Sequence, residues 1–218
     1  IIMKIELNVP STLSEITLGQ YQKYLKIAEN NPNGNFLHAK MIEIFCGIPL
    51  SESYKLKISS VAAIIDILED LLDSKPEHVE RFELDGVSYG FIPDIDEMTL
   101  EEYICLDENA SDWENMHLAM NAIYRPIKDS NSDKYNIEDY NEKDAYKMAN
   151  MPMSAVTGSL FFFLNLGLAL SSHTISYLDQ QEMTDIQRKA ILGDDGGGIN
   201  QFTASLTEIL QNLKISLN

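Results

Sequence analysis

The sequence predicts an α+β fold, predominantly helical, in which amphipathic helices and one β-hairpin pack around a central buried hydrophobic helix. Three observations lead there. Val61, Ile64, Ile65, Leu68, Leu71 and Leu72 recur at helical spacing, while Asp66, Glu69, Asp70 and Asp73 fill the other face. Asp85-Gly86 separates two short alternating runs, 81–84 and 87–92, a strong hairpin signal. Residues 148–178 contain no charged side chain.

Taken in order, Lys4 to Val9 alternates and stops at Pro10, which predicts a short strand. Thr17 is suited to cap a helix running to about Asn30, with Leu18, Tyr21, Leu25 and Ala28 on one face. A turn cluster at 31–34 precedes a second helix over 36–46, which Gly47-Ile48-Pro49 ends. Ser59 or Ser60 is expected to cap the striped helix. Pro93 closes the hairpin's second strand. Thr99 with Glu102 three residues on is a capping box, opening a helix to about Glu108. Another helix is expected from Ser111 or Asp112, with Trp113, Met116, Met120, Ile123 and Tyr124 on one side and Pro126 as its stop. Residues 128–134 read as a polar loop, and 135–140 as a short extended piece. Pro152 suits the first position of the uncharged helix. The glycine-rich 193–198 is a flexible break. The expected organisation is one α+β domain over 1–180, then a linker and C-terminal amphipathic helix over 181–218.

Charge narrows the function classes. The chain has 34 acids against 16 Lys+Arg, a formal net charge of -18. Such a field repels nucleic-acid phosphates and anionic headgroups, so direct nucleic-acid binding is not expected and a basic partner is. The density peaks over 77–114, where 13 acids stand against Arg81 alone, a net of -12. Cys46 and Cys105 have no metal-ligand spacing and read as buried free thiols, which suits a reducing compartment. The opening IIMKIELNVP lacks a basic segment followed by an apolar one, so no secretion signal is expected, and Met3 is expected as the start.

No catalytic pattern emerges. His38, His78, His117 and His173 have no metal-pair spacing, and there is no nucleophile elbow, P-loop or dinucleotide fingerprint. The expectation is a non-enzyme with no cofactor and no metal. Asp94, Asp96, Glu97, Glu101 and Glu102 lack the central glycine of a calcium loop and sit where acids favour helix starts. The same five could face a basic partner. Phe202, Leu206, Ile209, Leu210 and Leu213 share a helical face that could dock on a partner or on its own domain. The uncharged run is long enough to cross a bilayer, which would make the chain a single-pass membrane protein using 152–172. Its many Ser and Thr, and the lack of a flanking Lys/Arg cluster, equally suit a core helix, and no membrane is expected. A third possibility is an acidic mimic of DNA, which needs carboxylates in line at the ~3.4 Å phosphate spacing.

Several phrases form an ordered set: Ile16-Thr17-Leu18-Gly19-Gln20-Tyr21-Gln22, Tyr89-Gly90-Phe91-Ile92-Pro93, Thr99-Leu100-Glu101-Glu102-Tyr103 and Ala122-Ile123-Tyr124-Arg125-Pro126-Ile127. Residues 135–140 and 151–164 complete it. In this order they resemble uncharacterised proteins from the structural gene blocks of tailed bacteriophages, in particular small proteins regarded as tail assembly chaperones. The resemblance covers most of residues 10–180. It implies a role in virion assembly through protein–protein contact, in the cytoplasm of an infected bacterium or in the virion, with other phage structural proteins as partners. It brings no catalytic residues.

Overall fold

Local signals start the helices where the chain can satisfy its own backbone. In the computed structural model, which describes residues 7–31, 34–75, 77–131 and 134–180 together with Ala204, Ser205, Thr207 and Glu208, Thr17 caps helix α1 (Leu18–Ala28). Its hydroxyl accepts from the Gln20 amide, and the Gln20 side chain accepts from the Thr17 amide at 2.9 Å. Helix α2 (Asn35–Cys46) ends at Gly47, which takes the left-handed conformation (φ 71°) that a helix C-terminus favours. A short helix α3 (Leu50–Ser53), absent from the sequence expectations, follows Pro49. Helix α4 (Ile58–Leu72) buries Ile64, Ile65, Leu68 and Leu72 and exposes Asp66, Asp70 and Asp73. Its N-cap is Lys57, without a side-chain cap. The expected capping by Ser59 or Ser60 is therefore corrected: both lie inside the first turn, too late to cap it. No strand forms over Leu7 to Pro10 among the described residues, and the rest of that expected strand lies outside them.

The hairpin is present but belongs to a larger sheet. Strands β1 (Arg81–Leu84), β2 (Val87–Phe91), β3 (Tyr124–Asn131) and β4 (Lys134–Ile137) form one antiparallel meander in that order. Asp85 and Gly86 both have positive φ (52° and 78°), as the tight turn whose twist matches its strands requires. Two helices separate the hairpins: α5 (Leu100–Asn109) and α6 (Met116–Ile123). The expectation that Pro126 stops a helix is overturned. Helix α6 ends at Ile123, and the chain passes straight into β3, with Tyr124 opposite Phe91 and Pro126 opposite Tyr89. The Pro126 carbonyl still accepts from the Glu138 amide at 2.8 Å, so the missing proline N–H falls at the end of the β3–β4 ladder, whose register starts at Ile127. The expected loop over 128–134 is strand through Asn131 and again from Lys134. This outer end of the sheet is exposed, which explains its loop-like polar composition. A 3-10 helix over Glu142–Asn150 leads to the last long helix.

That helix, α7 (Met153–Gln180), opens just after Pro152 and is stitched to the start of α1. The Leu18 amide donates to the Met151 carbonyl at 3.0 Å, and the Met153 amide to the Ile16 carbonyl at 2.8 Å. All eight residues of 153–160, more than two turns, are buried. Their hydroxyls are satisfied: Thr157 donates to the Met153 carbonyl and Ser159 to the Val156 carbonyl, each at 2.8 Å. A methyl group at Gly158 would stand 2.6 Å from the Glu77 carbonyl oxygen, so only glycine allows that approach. From Phe161 onward burial declines, and Leu168 is 53% exposed. Central burial thus holds for the first turns, not for the helix as a whole. The sheet's inner rings, Phe82, Tyr89, Phe91 and Tyr124, interlock with one another, and Phe91 carries the contact to Phe162 and Phe163 of α7 at 5.4 and 5.8 Å between centroids. Most of the buried apolar residues from Leu13 to Phe163 form one hydrophobic cluster.

Candidate interaction surface

Helix α5 has an unusual orientation. Its capping box fixes the start: the Glu102 amide donates to the Thr99 hydroxyl at 3.3 Å, and the Thr99 amide to the Glu102 carboxylate at 2.7 Å. The inward face then consists of Glu102, Cys105, Leu106 and Asn109. Glu102 is 3% exposed, and its other carboxylate oxygen accepts from the Arg125 guanidinium of β3, itself 8% exposed. Drawing Glu102 inward turns three of the helix's four large apolar residues outward and leaves Leu106 inside. Leu100 is 74% exposed, Tyr103 53% and Ile104 44%. At i, i+3 and i+4 they share one face. Asp107 lies on that face too, seven residues from Leu100, and exposed Glu101 and Glu108 flank it.

Beside the ion pair lies a cleft of about 540 Å³, bordered by Asp94, Glu97, Glu101, Glu138, Asp139 and Tyr140, with Glu102 and Arg125 also in its wall. Burial raises the Tyr140 phenol above its usual range, and the Cys105 thiol beside it adds to this. Asp94 is partly committed to local structure, since its carboxylate accepts from the Asp96 amide at 3.0 Å. Asp96 and Glu97 form the 3-10 turn that follows, and both are exposed. Asp96 borders a second cleft, of about 880 Å³, in which Lys134 and His78 also stand. The structure therefore brings four of the five predicted acids to the surface around one region and takes the fifth, Glu102, into the interior. Phe202, Leu206, Ile209, Leu210 and Leu213 lie outside the described residues.

Of the other groups considered from sequence, Cys46, Cys105 and His78 are held by packing. Burial pushes the Cys46 thiol up to about 11, away from reactivity. The Cys105 thiol donates to the Leu118 carbonyl at 3.5 Å. His78 is stacked on Phe162 (4.7 Å) and edge-on to Phe91 (4.5 Å); burial lowers its pKa, with Glu80 opposing. Among the described residues, no three His, Cys, Asp or Glu side chains gather as metal ligands would. The 18-residue window Met153–Leu170 has a mean hydropathy of 1.7, enough by length and composition for a membrane span, but 56% of it is buried within the protein.

Sequence reasoning missed Leu100, Tyr103, Ile104 and Arg125. An apolar triad on a helix reads as the core face, and nothing local indicates that an arginine 23 residues away from Glu102 reverses it. The available hint was the charge count itself, since over 77–127 Arg81 and Arg125 are the two cations to be shared among many acids. Comparisons of the chain with protein-family models, with curated proteins and with solved structures returned no match.

Proposed function

We propose that this chain is a non-enzymatic assembly protein of a tailed bacteriophage, similar to a tail assembly chaperone, acting by protein–protein contact in the infected cell. The phage assignment rests on the ordered set of phrases from Ile16 to Leu164. The observation that carries the contact role is the outward apolar face of α5 beside an acidic cleft. Apolar patches rimmed by polar residues mark protein interaction sites, and a net charge of -18 keeps such a protein soluble while it favours basic partners. Co-expression with the structural proteins encoded beside it tests the reading. A stable complex with one of them on gel filtration is expected. A locus without capsid, portal or tail genes overturns the viral assignment.

The hydropathy of Met153–Leu170 favours a second reading, a single-pass membrane protein. The complete burial of 153–160 by α1, the sheet and their connections weighs against it, because those contacts would be lost in lipid. Recovery of the whole chain in the soluble fraction without detergent removes this alternative. The mimicry of DNA is weakened by the placement of acids on separate elements, α4, α5 and the segment 138–144, rather than in one row.

A further inference from the structure

We propose that the Leu100–Tyr103–Ile104 face of α5 is the docking site for a basic amphipathic segment of a partner protein. The inference rests on the reading of the chain as a partner-binding protein, though not on that partner's being viral. Three large apolar side chains on one helical face stand in solvent while the same helix buries a glutamate. Removing them from water on binding is favourable. The surroundings select what can approach. Asp107 lies within the face, and Glu101 and Glu108 border it. The cleft adjoining Glu101 adds Asp94, Glu97 and Glu138, while its Asp139 is already paired with Lys128 at 3.3 Å. A segment offering apolar anchors together with Lys or Arg gains from both features.

The same charges disfavour the other occupants. A second copy of this chain would bring its own Glu101, Asp107 and Glu108 against the first, between molecules of net charge -18. The amphipathic stretch 202–213 of the chain itself carries one acid, Glu208, with Lys214 directly after it. Neither offers the several cations along one apolar face that the site favours. A basic partner does, and its binding weakens as salt rises.

The test uses the full chain and a synthetic helix-forming peptide with leucines on one face and lysines beside them. Amide chemical shifts should move at 100–108, and the Leu100→Ser/Ile104→Ser variant should bind at least about tenfold more weakly with its melting temperature unchanged. Glu101→Gln/Glu108→Gln should weaken binding through its salt dependence, and a glutamate-for-lysine peptide should not bind. Equal affinity of both variants and the wild type, or shifts confined to the acids of α4, overturns the site. Sedimentation showing a dimer that Leu100→Ser/Ile104→Ser dissolves overturns the choice of occupant. Co-expression separates this proposal from the wider reading. If a neighbouring phage protein is captured equally by wild type and variant, the α5 site falls and the assembly role stands. If none is captured yet the peptide still maps to α5, the site stands and the viral assignment falls.

Discussion

Helix α5 and the opening turns of α7 treat side-chain polarity in opposite ways. The α7 segment 153–160 has no charge, is buried on every side, and closes the hydroxyls of Thr157 and Ser159 onto its own backbone and that of Ser154 onto Ser14. Helix α5 is rich in acids, sends one of them, Glu102, into the interior, and leaves Leu100, Tyr103 and Ile104 outside. The energetic terms differ accordingly. Burial of α7 is supported by transfer of apolar surface and close packing. Burial of Glu102 depends on one cation, Arg125, because the Coulomb gain of a buried pair roughly offsets the desolvation of both partners. The pair therefore contributes orientation more than stability. It decides which face of α5 is seen by other molecules.

The sharpest way to break this contrast is Arg125→Ala. It leaves Glu102 buried and unpaired, and a loss of about 3–5 kcal/mol is expected in urea denaturation. Replacing both partners, Glu102→Leu with Arg125→Met, should restore much of that loss, because no charge then remains to be desolvated. A single-variant cost below about 1 kcal/mol would mean that Glu102 escapes to solvent and that the orientation of α5 has another cause. Within α7 the gradient of burial can be measured directly. Leu160→Ala should cost about 2–5 kcal/mol, and Leu168→Ala less than about 0.5 kcal/mol. Equal costs would show that the distal half is covered in solution. The capping box of α5 is a smaller contributor: Thr99→Ala should cost about 1 kcal/mol, read from the shift in the denaturation midpoint.

The smallest effect concerns pH at the sheet's contact with α7. His78, between Phe91 and Phe162, has its pKa lowered by burial from the ordinary value of 6.5. Between that lowered value and 6.5 the unfolded chain binds a proton that the folded chain does not. Stability should therefore fall as pH is lowered through 6.5 and level off below the folded value. His78→Phe should remove this component of the pH profile while keeping the ring cluster. An unchanged profile would show that the imidazole is protonated in place.

Local chemistry settled a good part of this protein. Thr17 with Gln20, Thr99 with Glu102, the Asp85-Gly86 turn and the Gly47 helix end all act over three or four residues, and their groups meet whatever the rest of the chain does. The stripe of α4 and the uncharged run of α7 were legible for the same reason, since a helical period is a local property. The acidic border of the candidate surface was legible too, as a density of charge. Distant partners settled the rest. Tyr124 to Ile127 is strand because β2 and β4 lie on either side of it, and the end of α6 carries no local sign of that. Leu100, Tyr103 and Ile104 face solvent because Arg125, 23 residues beyond Glu102, holds the carboxylate inside. A helical pattern identifies two faces by composition. Which one turns inward depends on the free energy of pairing with groups that only the folded chain brings within reach.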